Sequence, residues 1–294
     1  MTAVEVPLKA KRRLMERTGV WALCGVVILL ALDTIGGAFA SAQHDVSLWP
    51  AVLGLVGVVA AVGVGLWLYI AVIMRRWARR EPVELTGAGK ARNALAGLVI
   101  GCLFMAVAFP IVLALGGYRV DGFAHFGAHQ VLNVVSMVLV SAFLEELMFR
   151  GILLQAIEKW LGWIPALAIT SLLFGAVHLL NDLSASTVSV WSALDIAIEA
   201  GFFLGAAFLW RRNLWLVIGI HAGWNATESL LGIPVSGTRP DGVLQISAHG
   251  SSLLNGGAFG IEGSLVTLLL GAALGVLFLV LPKQGKIASK EARA

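Results

Sequence analysis

The chain has 294 residues, yet Lys, Arg, Asp and Glu make up only 13% of them while hydrophobic residues make up 59%, with a mean hydropathy of +0.88. Soluble domains carry roughly a quarter of their residues as charges, so a water-facing surface around one compact core is excluded and lipid is the expected solvent. The net charge of +4 suits basic loops lying against anionic headgroups, and no nucleic-acid recognition module accompanies it.

Eight apolar tracts follow in chain order, at about 20–40, 51–73, 93–115, 131–157, 163–180, 190–210, 214–231 and 260–281. Their lengths suit helices crossing roughly 30 Å of hydrocarbon. A helix satisfies its own backbone groups there, and the alternation of a membrane barrel is missing. The expectation is an all-α polytopic membrane protein with about eight transmembrane helices. The first tract follows a basic stretch, but Ala38-Phe39-Ala40 is a poor cleavage site, so an uncleaved first span is expected.

Charge placement tests this count independently. Lys9, Lys11, Arg12, Arg13 and Arg17 precede the first span, and Arg75 to Arg92 supply six more basic residues between the second and third. Lys159, then Arg211 and Arg212, then Lys283, Lys286, Lys290 and Arg293 follow spans four, six and eight. Eighteen of the 21 basic residues thus fall on one side; only Arg119 and Arg239 fall opposite, and Arg150 lies within span four. Positive-inside bias puts both termini in the cytoplasm. The expected organisation is a basic cytoplasmic N-terminus (1–19), one helical membrane domain (20–281) and a cytoplasmic tail (282–294), multi-pass in a cell membrane, with the bacterial plasma membrane as its setting.

Between spans, the external 233–259 segment is rich in Gly, Ser and Pro and is expected to hold little regular structure. Cys24 and Cys102 fall inside spans and suggest apolar packing, not a disulfide framework. Trp163, Trp191, Trp210 and Trp215 stand near tract ends, where interfacial anchoring is expected. Gly201 and Gly205 share a helix face suited to close packing.

Ionisable groups in hydrocarbon are costly and mark protein-lined or hydrated sites. Span four carries Glu145, Glu146 and Arg150. Adjacent residues point about 100° apart on a helix, whereas Glu146 and Arg150 share a face. An ion pair is therefore assigned to Glu146 and Arg150, and chemistry to Glu145. Span five supplies Phe174 and His178, four apart, with the ring positioned to restrict the imidazole. Span seven supplies His221 and Asn225, again on one face, with Glu228 one turn beyond. Counted from the cytoplasmic turns, Glu145, His178, His221 and Asn225 lie about 14 to 27 Å along their helices, depths that let them meet. Asp195 and Glu199 share a face of span six, suggesting cavity hydration, substrate interaction or ion transport. Asp33 has no sequence partner.

The set Glu145-Glu146-x-x-x-Arg150, Phe174-x-x-x-His178 and His221-x-x-x-Asn225 resembles the CPBP family, the CAAX-processing and bacteriocin-processing intramembrane proteases, also called Abi or Rce1-like. The resemblance covers a catalytic region of about 128–230. It implies peptide-bond hydrolysis inside the membrane, with Glu145, His178, His221 and Asn225 as catalytic positions and Glu146, Arg150 and Phe174 in support. The chemistry such groups support is activation of a water by Glu145 and His178, with His221 and Asn225 stabilising the oxyanion. The expected partners are membrane lipids and a membrane-associated protein or peptide substrate, with no nucleic acid and no cofactor. The mechanistic rival is a zinc site built from Glu145, His178 and His221. A non-catalytic membrane immunity protein or a transporter would use the same embedded polar groups differently.

Overall fold

The computed structural model describes residues 8–41, 48–179, 190–240 and 242–282, with side chains described from residue 18 in the first segment and from residue 191 in the third. The basic side chains expected to hold the N-terminus in the cytoplasm, and the tail from 283 onward, lie outside the described residues.

The described chain is mostly helical. α1 (Leu8–Ser41) and α2 (Leu48–Trp67) come first, α2 running on into a π-helical stretch, Leu68–Trp77. The short α3 (Val83–Thr86) and long α4 (Lys90–Ala114) follow, then strand β1 (Tyr118–Phe123). α5 (Ala128–Val140) continues through π-helical turns at Ser141–Glu145 and Leu147–Leu153 into α6 (Leu154–Leu161). α7 (Trp163–His178) returns. α8 (Val190–Ile196), a π-helical stretch Ala197–Phe202 and α9 (Phe203–Arg211) form one rod. α10 (Leu214–Leu231), strand β2 (Leu244–Ala248), the short α11 (Ser252–Asn255), two 3₁₀ turns and α12 (Leu265–Val280) complete the order.

The apolar tracts are helical over most of their described residues, the last of them only from Leu265 onward. Five helical segments, Thr18–Ala40, Leu48–Trp77, Lys90–Ala114, Ala128–Leu161 and Trp191–Arg211, are long and apolar enough to cross a membrane, while Trp163–His178 and Leu265–Val280 are apolar but shorter. Leu23, Leu53, Leu103 and Leu269 are each more than half exposed. Such faces are unfavourable in water and suited to lipid, as in a multi-pass membrane protein.

Local chemistry sets the helix ends that matter for the site. Asn213 caps α10 by accepting from the Leu216 amide, and Gly232 ends it in the left-handed conformation at φ 76°. Pro165 sits in the first turn of α7, where its missing N–H removes no intrahelical bond. α10 is then locked against α4 by backbone contact: a Cβ on Gly101 would stand 2.0 Å from the Ile220 carbonyl oxygen, and one on Gly219 2.3 Å from that of Ala94. Close approach through small residues is how helices gain packing energy where no hydrophobic effect drives them together. Gly201 and Gly205 serve the same end within the chain, meeting Ser171 and Leu167 of α7.

Two features depart from the sequence expectation. The 233–259 segment is not irregular: β2 pairs antiparallel with β1, from Tyr118 opposite Ala248 to Phe123 opposite Leu244, with a bulge between Val120 and Gly122. Tyr118 also donates to the Asn255 carbonyl at 2.5 Å. Each strand is only five or six residues long, and its brief alternation, Tyr118-Arg119-Val120-Asp121 and Leu244-Gln245-Ile246-Ser247, is too short a signal to stand out before its distant partner satisfies its backbone. Span four is also not uniformly α-helical. Its π turns coincide with Glu145 and Arg150, the local widening that often accompanies functional positions. Of the tryptophans expected at interfaces, Trp191, Trp210 and Trp215 donate to the carbonyls of Gly263, Pro282 and Leu85, and Trp163 is exposed.

Candidate active site

The polar residues of spans four, five and seven converge. Arg150 donates to Glu146 Oε1 at 2.7 Å, as the four-residue spacing predicts, and both side chains are buried. The guanidinium is satisfied further by the carbonyls of Ala200 at 2.8 Å and Gly201 at 3.1 Å, and it stacks 4.7 Å above the Phe174 ring. The ion pair thereby ties span four to span six.

Glu146 is more than the partner of Arg150. Its Oε1 also lies 3.0 Å from His221 Nδ1. A carboxylate already paired with Arg150 accepts, so His221 Nδ1 carries a proton and donates. In neutral His221 the Nε2 atom is then a bare acceptor, and it donates only when the ring is protonated. That qualifies the sequence-based assignment of His221 as an oxyanion donor: the role requires the imidazolium, whose charge Glu146 is placed to balance.

His178 is oriented in the same way. Its Nδ1 stands 2.7 Å from the Phe174 carbonyl, which only accepts, so Nδ1 donates and the neutral ring presents a basic Nε2. The Phe174 ring packs 4.5 Å from the imidazole. His178 Nε2 faces Glu145 Oε2 at 3.8 Å, beyond direct hydrogen-bond range, and this carboxyl oxygen is buried without a partner. Two acceptors at that separation can both be reached by one water donating two bonds of about 2.8 Å.

Asn225 donates through Nδ2 to Ser141 Oγ at 3.0 Å, and Ser141 donates in turn to the Met137 carbonyl at 3.0 Å. The amide is held by one of its two N–H groups, and the other stays available. A narrow cavity, with room for about one water, runs past Phe174, His178, His221, Trp224, Asn225 and Glu262. Asp33 of α1 lies near enough to interact electrostatically with Glu145 and His221.

Glu262, Ser141 and Asp33 belong to this neighbourhood, and motif reasoning assigned none of them a role. Glu262 sits on the 3₁₀ turn Ile261–Gly263, beside Ser236, whose N–H and Oγ donate to its Oε2 at 2.6 and 2.7 Å. An acidic residue at the mouth of an apolar tract was its visible signal. Glu228, one turn beyond Asn225, is fully buried and accepts from Trp224 Nε1 at 2.9 Å.

Both histidines hold Nδ1 in a hydrogen bond and leave Nε2 free, an orientation metal ligands also use. Among the described residues, however, no three His, Cys, Asp or Glu side chains cluster closely enough to hold a metal ion.

Comparison with known proteins agrees with the motifs. Residues 127–227 match the family model described as type II CAAX prenyl endopeptidase Rce1-like, so the resemblance drawn from the three motifs holds over that segment. The chain is also 27% identical over 96 residues to the uncharacterized protein YpbD of Bacillus subtilis (strain 168), a match covering 33% of this chain and 43% of the relative. The match thus spans less than half of that curated relative's length. No match was found among solved structures.

Proposed function

We propose that this chain, Rce1-like over residues 127–227, is an intramembrane endopeptidase of the glutamic type that hydrolyses a peptide bond in a membrane-associated protein or peptide, working in a bacterial plasma membrane without a metal. The observation that carries this reading is the pair of buried acceptors, Glu145 Oε2 and His178 Nε2, 3.8 Å apart and next to the cavity that holds His221 and Asn225.

Glu145 and His178 bind one water through its two hydrogens. As the water oxygen bonds to the peptide carbonyl carbon, one proton passes to this pair and the carbonyl electrons move onto oxygen. Asn225 donates its free N–H to the oxyanion, and protonated His221, balanced by Glu146, donates from Nε2. In a poorly solvated cavity such donors lower the barrier more than they would in water. Collapse of the intermediate breaks the C–N bond, and the proton taken from water goes to the departing amine. Glu146 and the Phe174 carbonyl hold the Nδ1 atoms of His221 and His178, so each ring turns its Nε2 toward the reaction.

The test is cleavage by purified protein in lipid vesicles of a peptide identified by cellular substrate profiling. Glu145→Ala and His178→Ala are expected to lose most turnover while keeping the helical fold and most substrate affinity. Wild-type cleavage by correctly folded forms of both variants would overturn the assignment. Full activity in protein shown to be metal-free supports the glutamic route, and zinc-switched activity would reject it.

A further inference from the structure

The π turn that carries Arg150 leaves a backbone group that the helix itself does not pair. At its end the Leu154 N–H donates to the Phe149 carbonyl, five residues back, whereas α6, from Leu154 on, is α-helical and pairs four residues back. The next bond, from the Gln155 N–H, then falls on Gly151. The Arg150 carbonyl is passed over where the two registers meet. Arg150 and Gly151 are both buried, and a buried carbonyl without a donor is costly.

The donor is the side chain of Gln155. Its amide nitrogen stands 3.2 Å from the Arg150 carbonyl oxygen and 2.9 Å from that of Gly151. Carbonyls only accept, so the amide oxygen faces the other way, where Arg80 donates to it at 3.0 Å. Arg80 in turn donates to both carboxylate oxygens of Glu84, at 2.9 and 2.8 Å, and Tyr69 donates its hydroxyl to Glu84 at 2.5 Å. Tyr69 and Glu84 are buried. The Tyr69 ring also closes over Gly151, where an added Cβ would stand 2.7 Å from Cε2. A buried ion pair is weak evidence for stability, and its best-attested use is to fix a register.

We propose that Gln155, braced by Arg80, Glu84 and Tyr69, is a positioning residue that holds the π turn of span four in the register its glutamates need. From Gln155 the linkage runs through the Arg150 backbone to its guanidinium, on to Glu146 Oε1 at 2.7 Å, and from that oxygen to His221 Nδ1 at 3.0 Å. Were the π turn to relax to an α-helix, the register would slip by one residue and the segment bearing Glu145 and Glu146 would turn about 100° against α6. The effect on turnover rests on the proteolytic reading above; the linkage to His221 does not.

Two measurements on the full-length protein in lipid test it. Gln155→Met keeps the bulk of the side chain and removes the donor. Against a peptide that wild type cleaves and Glu145→Gln does not, its kcat should fall by up to about a hundredfold, the scale of a 1 Å misplacement, while KM stays close to that of wild type. Thr86→Val removes the bond from the Thr86 hydroxyl to the Pro82 carbonyl, in the same connection between spans, and should leave kcat unchanged. Wild-type kcat in folded Gln155→Met, or an equal loss in Thr86→Val, overturns the proposal.

The second measurement needs no turnover. With isotopically labelled imidazole nitrogens, the His221 resonance, identified by its loss in His221→Gln, reports the Nδ1 proton and its bond to Glu146. Gln155→Met should shift it, and Thr86→Val should not. An unmoved His221 resonance in folded Gln155→Met overturns the positioning role. Should Gln155→Met fail to fold, Tyr69→Phe, which releases Glu84 and keeps the ring, takes its place in both measurements with the same expected direction. Cleavage by wild type no greater than by Glu145→Gln overturns the protease reading instead, and the His221 resonance then decides the linkage alone.

Discussion

Glu146 and His221, 75 positions apart in sequence, meet at 3.0 Å between Oε1 and Nδ1. The same oxygen receives Arg150 at 2.7 Å, so one buried atom joins an ion pair to a histidine tautomer. Removing the anion would strand Arg150 in an apolar interior, a loss that costs about 3 to 5 kcal/mol for buried pairs. Glu146→Gln is therefore expected to lower stability strongly, with residual cleavage per folded molecule above that of Glu145→Gln. Unfolding measured beside activity normalised to folded protein checks this. Equal catalytic loss in well-folded forms of both variants would reject the division of labour.

The Asn225 amide is aimed by Ser141. Asn225→Ala should reduce kcat by an amount corresponding to about 2.7 to 4 kcal/mol, as for loss of one oxyanion donor, with KM little changed. Ser141→Ala should give a smaller fall in kcat, since the amide remains but loses its anchor. Steady-state kinetics on both variants decide it: a change confined to KM would remove Asn225 from transition-state stabilisation.

Gly101 tests the packing that delivers α10 to the site. Its added Cβ would fall 2.0 Å from a backbone oxygen of Ile220, which cannot rotate away, whereas one on Gly63 meets nothing within 4 Å. Gly101→Ala should destabilise by about 1 to 3 kcal/mol or more and reduce activity, because α10 carries His221 and Asn225. Gly63→Ala should stay within about 0.5 kcal/mol of wild type. Thermal unfolding of the two variants in the same lipid separates site-specific packing from a general intolerance of substitution.

Topology is tested by thiol labelling of intact cells in a background lacking Cys24 and Cys102. Arg76, near the end of the π-helical stretch, and Gln245 of β2 are both exposed, in segments that the distribution of basic residues assigns to opposite sides. A membrane-impermeant reagent should modify Gln245→Cys and spare Arg76→Cys until the cells are opened. The reverse pattern would invert the molecule in the membrane.

Much of this protein was legible without coordinates because the relevant signals are local. A helix in lipid must carry a long apolar run, so the tracts appear directly in the residues. Same-face spacing depends only on helical rotation, which is why the Glu146–Arg150 pair and the placement of Phe174 over His178 follow from four-residue intervals. Three such intervals in order sufficed for the family resemblance. What tertiary structure alone decided is everything set by contacts between distant segments. The proton on His221 is assigned by Glu146, that on His178 by a backbone carbonyl, and the aim of Asn225 by Ser141. The pairing of β1 with β2 and the arrival of Glu262 at the cavity depend on segments more than a hundred residues from their partners or from the motif glutamates. No local pattern encodes those meetings, because hydrogen bonding and burial at each position are satisfied only once the helices have packed.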